Sequence, residues 1–277
     1  MKKKKRRIHY GHLMIVLMVP ILILGGLTFT FKKITEPKQE CVVKDMTIEA
    51  LLQNAIKPVG TTLYVWGGGW NAEDTGAGKE AKTIGLPKQW KAFYKKEAEN
   101  YDYTQHAYEI HNGLDCSGFV GWVVYNTKES KNNQSGYVTE SGNIPSLYQK
   151  KGFGKVIASE DVKDYKPGDI MANEEHVYIV LGQYKDGSVL LVHASPPGVR
   201  ICGTTTLNGN QNSQAIQAAS EIMRIEYSKW YQKYPNCAVD ASYLSDYDQF
   251  RWNQKTMKDA KKIQKCSAKQ IVKLLWQ

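Results

Sequence analysis

The side chains of this chain best suited to chemistry are one cysteine and two histidines. Cys116 stands in Gly113-Leu114-Asp115-Cys116-Ser117-Gly118-Phe119-Val120, directly ahead of an apolar run at residues 119–125 that reads as a buried helix. A thiol at a helix start meets unpaired backbone N–H groups and the positive end of the helix dipole, and both favour the nucleophilic thiolate. Further on, His176 enters a strand-like run, Val177-Tyr178-Ile179-Val180-Leu181-Gly182. A thiol on a helix start and a histidine on a strand are the two halves of a thiol protease site. His193 comes after a second apolar run at residues 189–192.

The elements that must position these groups can be read around them. The two apolar runs, separated by residues 182–188, read as a hairpin. Pairing Gly182 with Gly187 sets the histidines opposite each other, whereas a tight Asp186-Gly187 turn offsets them by ~13 Å; both registers keep them on one face. Tyr165-Lys166-Pro167-Gly168-Asp169 reads as a turn delivering Ile170 and Met171 into a strand. Residues 47–55 read as an amphipathic helix capped by Thr47, 87–96 as a helix with aromatics on one side, and 128–142 as a loop. Residues 219–227 alternate like a closing strand, 231–247 are aromatic and irregular, and 267–276 read as a capped final helix. Asp115 reads as a helix cap and Ser117 as support for the turn before it.

Four blocks occur in order between residues 47 and 195: Tyr64-Val65-Trp66-Gly67-Gly68, Asp115-Cys116-Ser117-Gly118-Phe119-Val120, Gly168-Asp169-Ile170 with His176-Val177, and Val192-His193-Ala194. Together they resemble the NlpC-type (NlpC/p-sixty) cell-wall cysteine peptidases, a papain-like branch acting on peptidoglycan peptides. The resemblance implies an α+β domain with helices packed on a central antiparallel sheet, and no metal or cofactor. It implies Cys116 as nucleophile, His176 as its base, His193 as the group that holds the imidazole, and Tyr64 as an oxyanion donor or substrate contact. The implied substrate is a peptidoglycan stem peptide, most often cut between γ-D-glutamate and the diamino acid. A related thiol amidase or cross-bridge endopeptidase is the alternative within enzymes; a non-catalytic envelope-binding protein keeping the fold is the alternative outside them. Residues 70–111 depart from the family, whose connection between the tyrosine and cysteine blocks is much shorter. That insertion suggests a wall of the substrate groove. Its His106, Glu109 and His111 are too poorly spaced to suggest a metal.

Charge and hydropathy supply an address. Lys2-Lys3-Lys4-Lys5-Arg6-Arg7 precedes an uncharged, mostly apolar run at residues 13–31, long enough to span a ~30 Å hydrocarbon core. Basic residues stay cytoplasmic, so the chain after Lys33 is expected outside the membrane. An uncleaved anchor is the preferred reading over a cleaved signal peptide, since no small-x-small site comes after the run. The domain plan is a basic cytoplasmic tail (1–12), a transmembrane signal anchor (13–31), a linker (32–46), the peptidase domain (47–227) and a C-terminal extension (228–277). Of 37 Lys and Arg, eight precede residue 34 with no acid among them, leaving 29 against 27 acids, or +2. The basic excess is therefore topogenic, and no patch of interleaved aromatic and basic residues argues for nucleic acid.

Five cysteines are present, Cys41, Cys116, Cys202, Cys237 and Cys266, without zinc-like spacing. With Cys116 kept as a free nucleophile, the other four allow two disulfides in an oxidising exterior. Nested pairing, Cys202 with Cys237 and Cys41 with Cys266, is preferred, and unpaired thiols are the alternative.

Overall fold

The structure is a computed structural model that describes residues 46–277. The basic tail, the apolar run at 13–31, Cys41 and all but the last residue of the linker lie outside the described residues. Among the described residues no helix is long and apolar enough to cross a membrane.

The chain first lays down helices: α1 (Ile48–Ile56), α2 (Lys88–Glu97), α3 (Cys116–Lys128) and α4 (Ile144–Lys150). Thr47 caps α1 by accepting from the Ala50 N–H at 3.0 Å, as its position before the apolar stripe predicts. Strands β1 (Gly154–Ile157), β2 (Ile170–Ala172), β3 (Val177–Gln183), β4 (Val189–Ser195) and β5 (Gly198–Thr204) come next. The remainder supplies α5 (Gln214–Glu226), α6 (Ser228–Tyr231), β6 (Ala238–Val239), α7 (Ser242–Ser245), β7 (Asp248–Trp252) and α8 (Ala268–Trp276). The fold is α+β, with one sheet in the order β1-β7-β2-β3-β4-β5-β6.

β3 and β4 form the expected hairpin in a register between the two considered. Ile179 pairs with Val192 and Val180 with Leu191, and beyond a bulge Gly182 pairs with Leu190. That register sets the histidines two positions out of line, on the same face. Strand alternation then sorts the side chains. Val177, Ile179, Leu190 and Val192 enter the larger core beneath the helices, while Tyr178, Val180 and Leu191 enter a smaller core on the opposite face.

Three expectations need correction. The sheet is mixed, because β6 runs parallel to β5; the helices between those two strands form a crossover, which returns the chain in the same direction. Residues 219–227 lie mostly in helix α5, which buries Ala215, Ala219, Ile222 and Met223 and is capped by the Ser213 hydroxyl. Ala219, Ile222 and Met223 already recur at helical spacing, but Met223, Ile225 and Tyr227 also alternate with Arg224 and Glu226, and that competing pattern reads as a strand. Cys202 and Cys237 are free thiols. Cys237 lies just before β6, and although the chain brings it near Cys202, Cys202 packs in the smaller core and Cys237 in the larger. Cys266 is also a free thiol, and its suggested partner Cys41 lies outside the described residues.

The C-terminal extension is part of the sheet. β7 is hydrogen-bonded between β1 and β2, with Phe250 facing both Val156 and Ile170. α8 closes the chain with a capping box between Ser267 and Gln270.

Candidate active site

Asp115, in extended backbone, begins α3. Its carboxylate accepts the Gly118 N–H at 2.6 Å and the Ser117 hydroxyl at 3.0 Å, and the Trp70 indole donates to that hydroxyl at 3.0 Å. The sequence roles of Asp115 as cap and Ser117 as support correspond to this network. Cys116 is the first helical residue, where backbone N–H groups have no intrahelical acceptor. Its sulfur also meets the backbone N–H of Val177, the residue after His176.

The Tyr64 block presses directly on this helix. A Cβ on Gly118 would stand 2.0 Å from the Gly68 carbonyl oxygen, so only glycine allows the contact, and that same oxygen accepts the Asp115 N–H at 3.0 Å. Tyr64 thereby comes to line the same cleft as Cys116. Burial raises its phenol well above the usual range, and the phenol oxygen makes no hydrogen bond among the described residues, so the group is a protonated, unengaged donor.

His176 is set by the turn between β2 and β3. Asn173 Oδ1 accepts the N–H groups of Glu175 (3.0 Å) and His176 (2.8 Å), and the His176 carbonyl accepts the Asn173 N–H at 2.9 Å. His176 Nε2 lies 2.9 Å from His193 Nδ1, with the rings edge to face. Tyr243 packs against both rings at centroid distances of 5.7 and 6.1 Å. For His176 to take a proton at Nδ1, its Nε2–H must donate to His193, which leaves the His193 proton on Nε2. That Nε2 is buried without a partner among the described residues.

Arg200 pairs directly with His193 across β4 and β5. It is buried and makes no ion pair among the described residues; its guanidinium donates to the carbonyls of Ser195 (3.1 Å) and Pro196 (2.5 Å) and to the Cys202 sulfur (3.4 Å). Burial, then the Arg200 charge, lowers His176 to about 4. Burial first, then His176 and Arg200, hold His193 well below its ordinary range. Burial and then Asp115 push the Cys116 thiol up to about 12, outweighing the nearby amides. The resting groups are therefore a neutral thiol and neutral imidazoles, and no hydrogen bond joins Cys116 to His176 among the described residues.

The cleft over Cys116 has a volume of about 220 Å³. Trp66 and Tyr108, both more than half exposed, form aromatic walls, and Trp70, Asp74 and Tyr108 come from the insertion. Its charged lining is wholly acidic: Asp74, Asp115, Glu140, Glu174 and Glu175. Larger cavities, of about 410 to 470 Å³, lie elsewhere, but none of them is lined by Cys116. The insertion's histidines go separate ways, His106 to Glu109 at 3.2 Å and His111 to Glu80 at 2.9 Å. No group of three or more metal-ligating side chains occurs among the described residues.

Sequence reasoning missed Arg200, Tyr243 and the acidic tip Glu174-Glu175. Arg200 had a signal, since it interrupts the apolar run Val199-Arg200-Ile201-Cys202; Tyr243 had none beyond its aromatic surroundings. Compared with protein-family models, curated proteins and solved structures, the chain matches none of them.

Proposed function

We propose that the chain is a papain-like thiol hydrolase that cuts peptidoglycan stem peptides on the outer side of a membrane to which residues 13–31 anchor it. The observation that carries this reading is Cys116 at the start of α3, in a cleft shared with Tyr64, its sulfur near the amide next to His176 while His193 engages Nε2 of that imidazole. A non-catalytic scaffold has no use for an imidazole pair set beside a helix-start thiol.

The neutral resting pair suits proton transfer concerted with attack. As the Cys116 sulfur bonds to the peptide carbonyl carbon, its proton passes to His176 Nδ1, and the imidazolium is held through Nε2–H by His193. Charge developing on the carbonyl oxygen is met by the N–H of Cys116 and the Tyr64 hydroxyl. His176 returns the proton to the nitrogen as the C–N bond breaks, leaving a thioester. Water, deprotonated by His176, then hydrolyses the thioester and regenerates the thiol.

Acidic walls without lysine or arginine favour a substrate carrying an ammonium group near the scissile bond, as a diamino acid or a free N-terminus does. Trapping tests the covalent step. Acid quenching during turnover of a stem-peptide substrate is expected to give a protein mass increased by the acyl portion, mapped to Cys116. Steady turnover by a Cys116→Ala variant would refute the nucleophile.

A further inference from the structure

Away from the Cys116 cleft, the helix contributed by the insertion carries a second constellation. Lys88, Lys91 and Lys95 recur at spacings of three and four along α2 and so share a face. They line two adjoining cavities of about 410 and 470 Å³ that have Thr61, Lys91 and Lys95 in common. Lys57 joins the first cavity and Lys229 the second, and Glu226 is the one carboxylate in either lining. Among the described residues, none of these five exposed lysines makes an ion pair with a carboxylate; the neighbouring pairs are Lys96 with Glu97 and Lys233 with Glu99.

This arrangement works against the helix that bears it. Lys88 is the first residue of α2, at the positive end of the dipole, and the first turn has no acid. Like charges three and four residues apart add repulsion. Trp90 lines the first cavity and Trp230 the second, each only 1% exposed.

We propose that this trough binds a linear polymer of phosphate diesters that carries no nucleobases. Phosphate oxygens are pure acceptors, suited to the ammonium groups left without carboxylates. Lysine serves phosphate as a point charge, whereas a carboxylate polymer would be better met by the planar fork of arginine, which is absent from both linings. Two adjoining cavities suit a chain over a single small anion. Nucleobases would need open aromatic faces for stacking, whereas Trp90 and Trp230 are closed off and the partly buried Tyr94 and Tyr227 pack against the core, Tyr94 stacked on Trp230. The trough does not involve Cys116, so this proposal stands or falls apart from hydrolysis.

The test uses the detergent-solubilised full chain with its six basic residues from Lys2 to Arg7 replaced by glutamine, so that the tail contributes no charge. Poly(glycerol phosphate), oligothymidylate and poly-L-glutamate are titrated against it over a range of salt concentrations. Poly(glycerol phosphate) is expected to bind best. Lys88→Gln, Lys91→Gln and Lys95→Gln together should weaken it at least about tenfold and lower the slope of log Kd against log salt by ~0.7 per lysine. Lys155→Gln, Lys163→Gln and Lys255→Gln together should change neither quantity. Circular dichroism matching the parent ties the loss to the trough, and Lys91→Gln alone supplies the same reading should the triple variant unfold. Absence of polymer binding, binding indifferent to the α2 lysines, or tighter binding of either comparison polymer overturns the proposal.

Discussion

His176 Nε2 and His193 Nδ1 lie 2.9 Å apart, and in the proposed mechanism a neutral His193 accepts the Nε2–H and fixes the orientation of the His176 ring. His193 performs that task only while neutral. Its burial and the Arg200 cation opposite it on β5 both keep it so.

Removing the acceptor should therefore lower turnover without abolishing substrate binding. His193→Ala is expected to reduce kcat roughly 100-fold, within the range for a misplaced general base. His193→Gln, which retains a carbonyl acceptor, should lose less. KM for a stem peptide and the Tm of each variant, measured alongside, separate orientation from unfolding; equal losses in the two folded variants would deny the orienting role.

Thiol reactivity reports the charge state of the resting pair. With burial holding Cys116 up and His176 down, alkylation by iodoacetamide should rise roughly tenfold per pH unit between about pH 6 and 9. A rate that is already flat over that interval would mean a preformed thiolate and imidazolium.

Asp115 links the nucleophile's helix to stability. Burial pushes its carboxyl from 3.8 up to about 7, so the folded protein keeps a proton that the unfolded chain has lost between those values. Its stabilising contribution is complete below the unfolded value and is lost as pH rises toward 7. Asp115→Asn retains a capping side chain and removes the titration. Its Tm relative to the wild type should rise from pH 4 to pH 8; a difference independent of pH would contradict this assignment.

Legibility of the sequence tracked the range of the interactions involved. The caps of α1 and α8, the start of α3 and the β3–β4 hairpin rest on neighbours within a few residues, and all were readable. β7 was not, because residues 248–252 become a strand only by entering between β1 and β2, which precede them by about 80 residues or more. The parallel β6 depends on the packing of α5, whose helical period competes with the alternation of residues 223–227. At the site, Cys116, His176, His193 and Tyr64 were carried by local motifs. Arg200 and Tyr243 reach the histidines through strand register and the distant helix α7, for which spacing offers no guide.

The acidic rim should show itself in substrate preference. Glu174→Gln with Glu175→Gln is expected to raise KM about 3- to 10-fold for a peptide with a free amine near the cut, with little effect on its acetylated counterpart. Salt should narrow the difference, since both carboxylates are exposed. Equal effects on the two peptides would remove charge from the account.

Digestion of purified peptidoglycan by the detergent-solubilised full chain and by its Cys116→Ala variant, with mass spectrometry of released fragments and new amine termini, tests the central claim most directly. Stem-peptide fragments from the wild type alone, with a single new amine terminus at the diamino acid, are the predicted result. Fragments from neither protein, with Cys116 inert to iodoacetamide in the folded state, would contradict catalysis and point to a binding role for the fold.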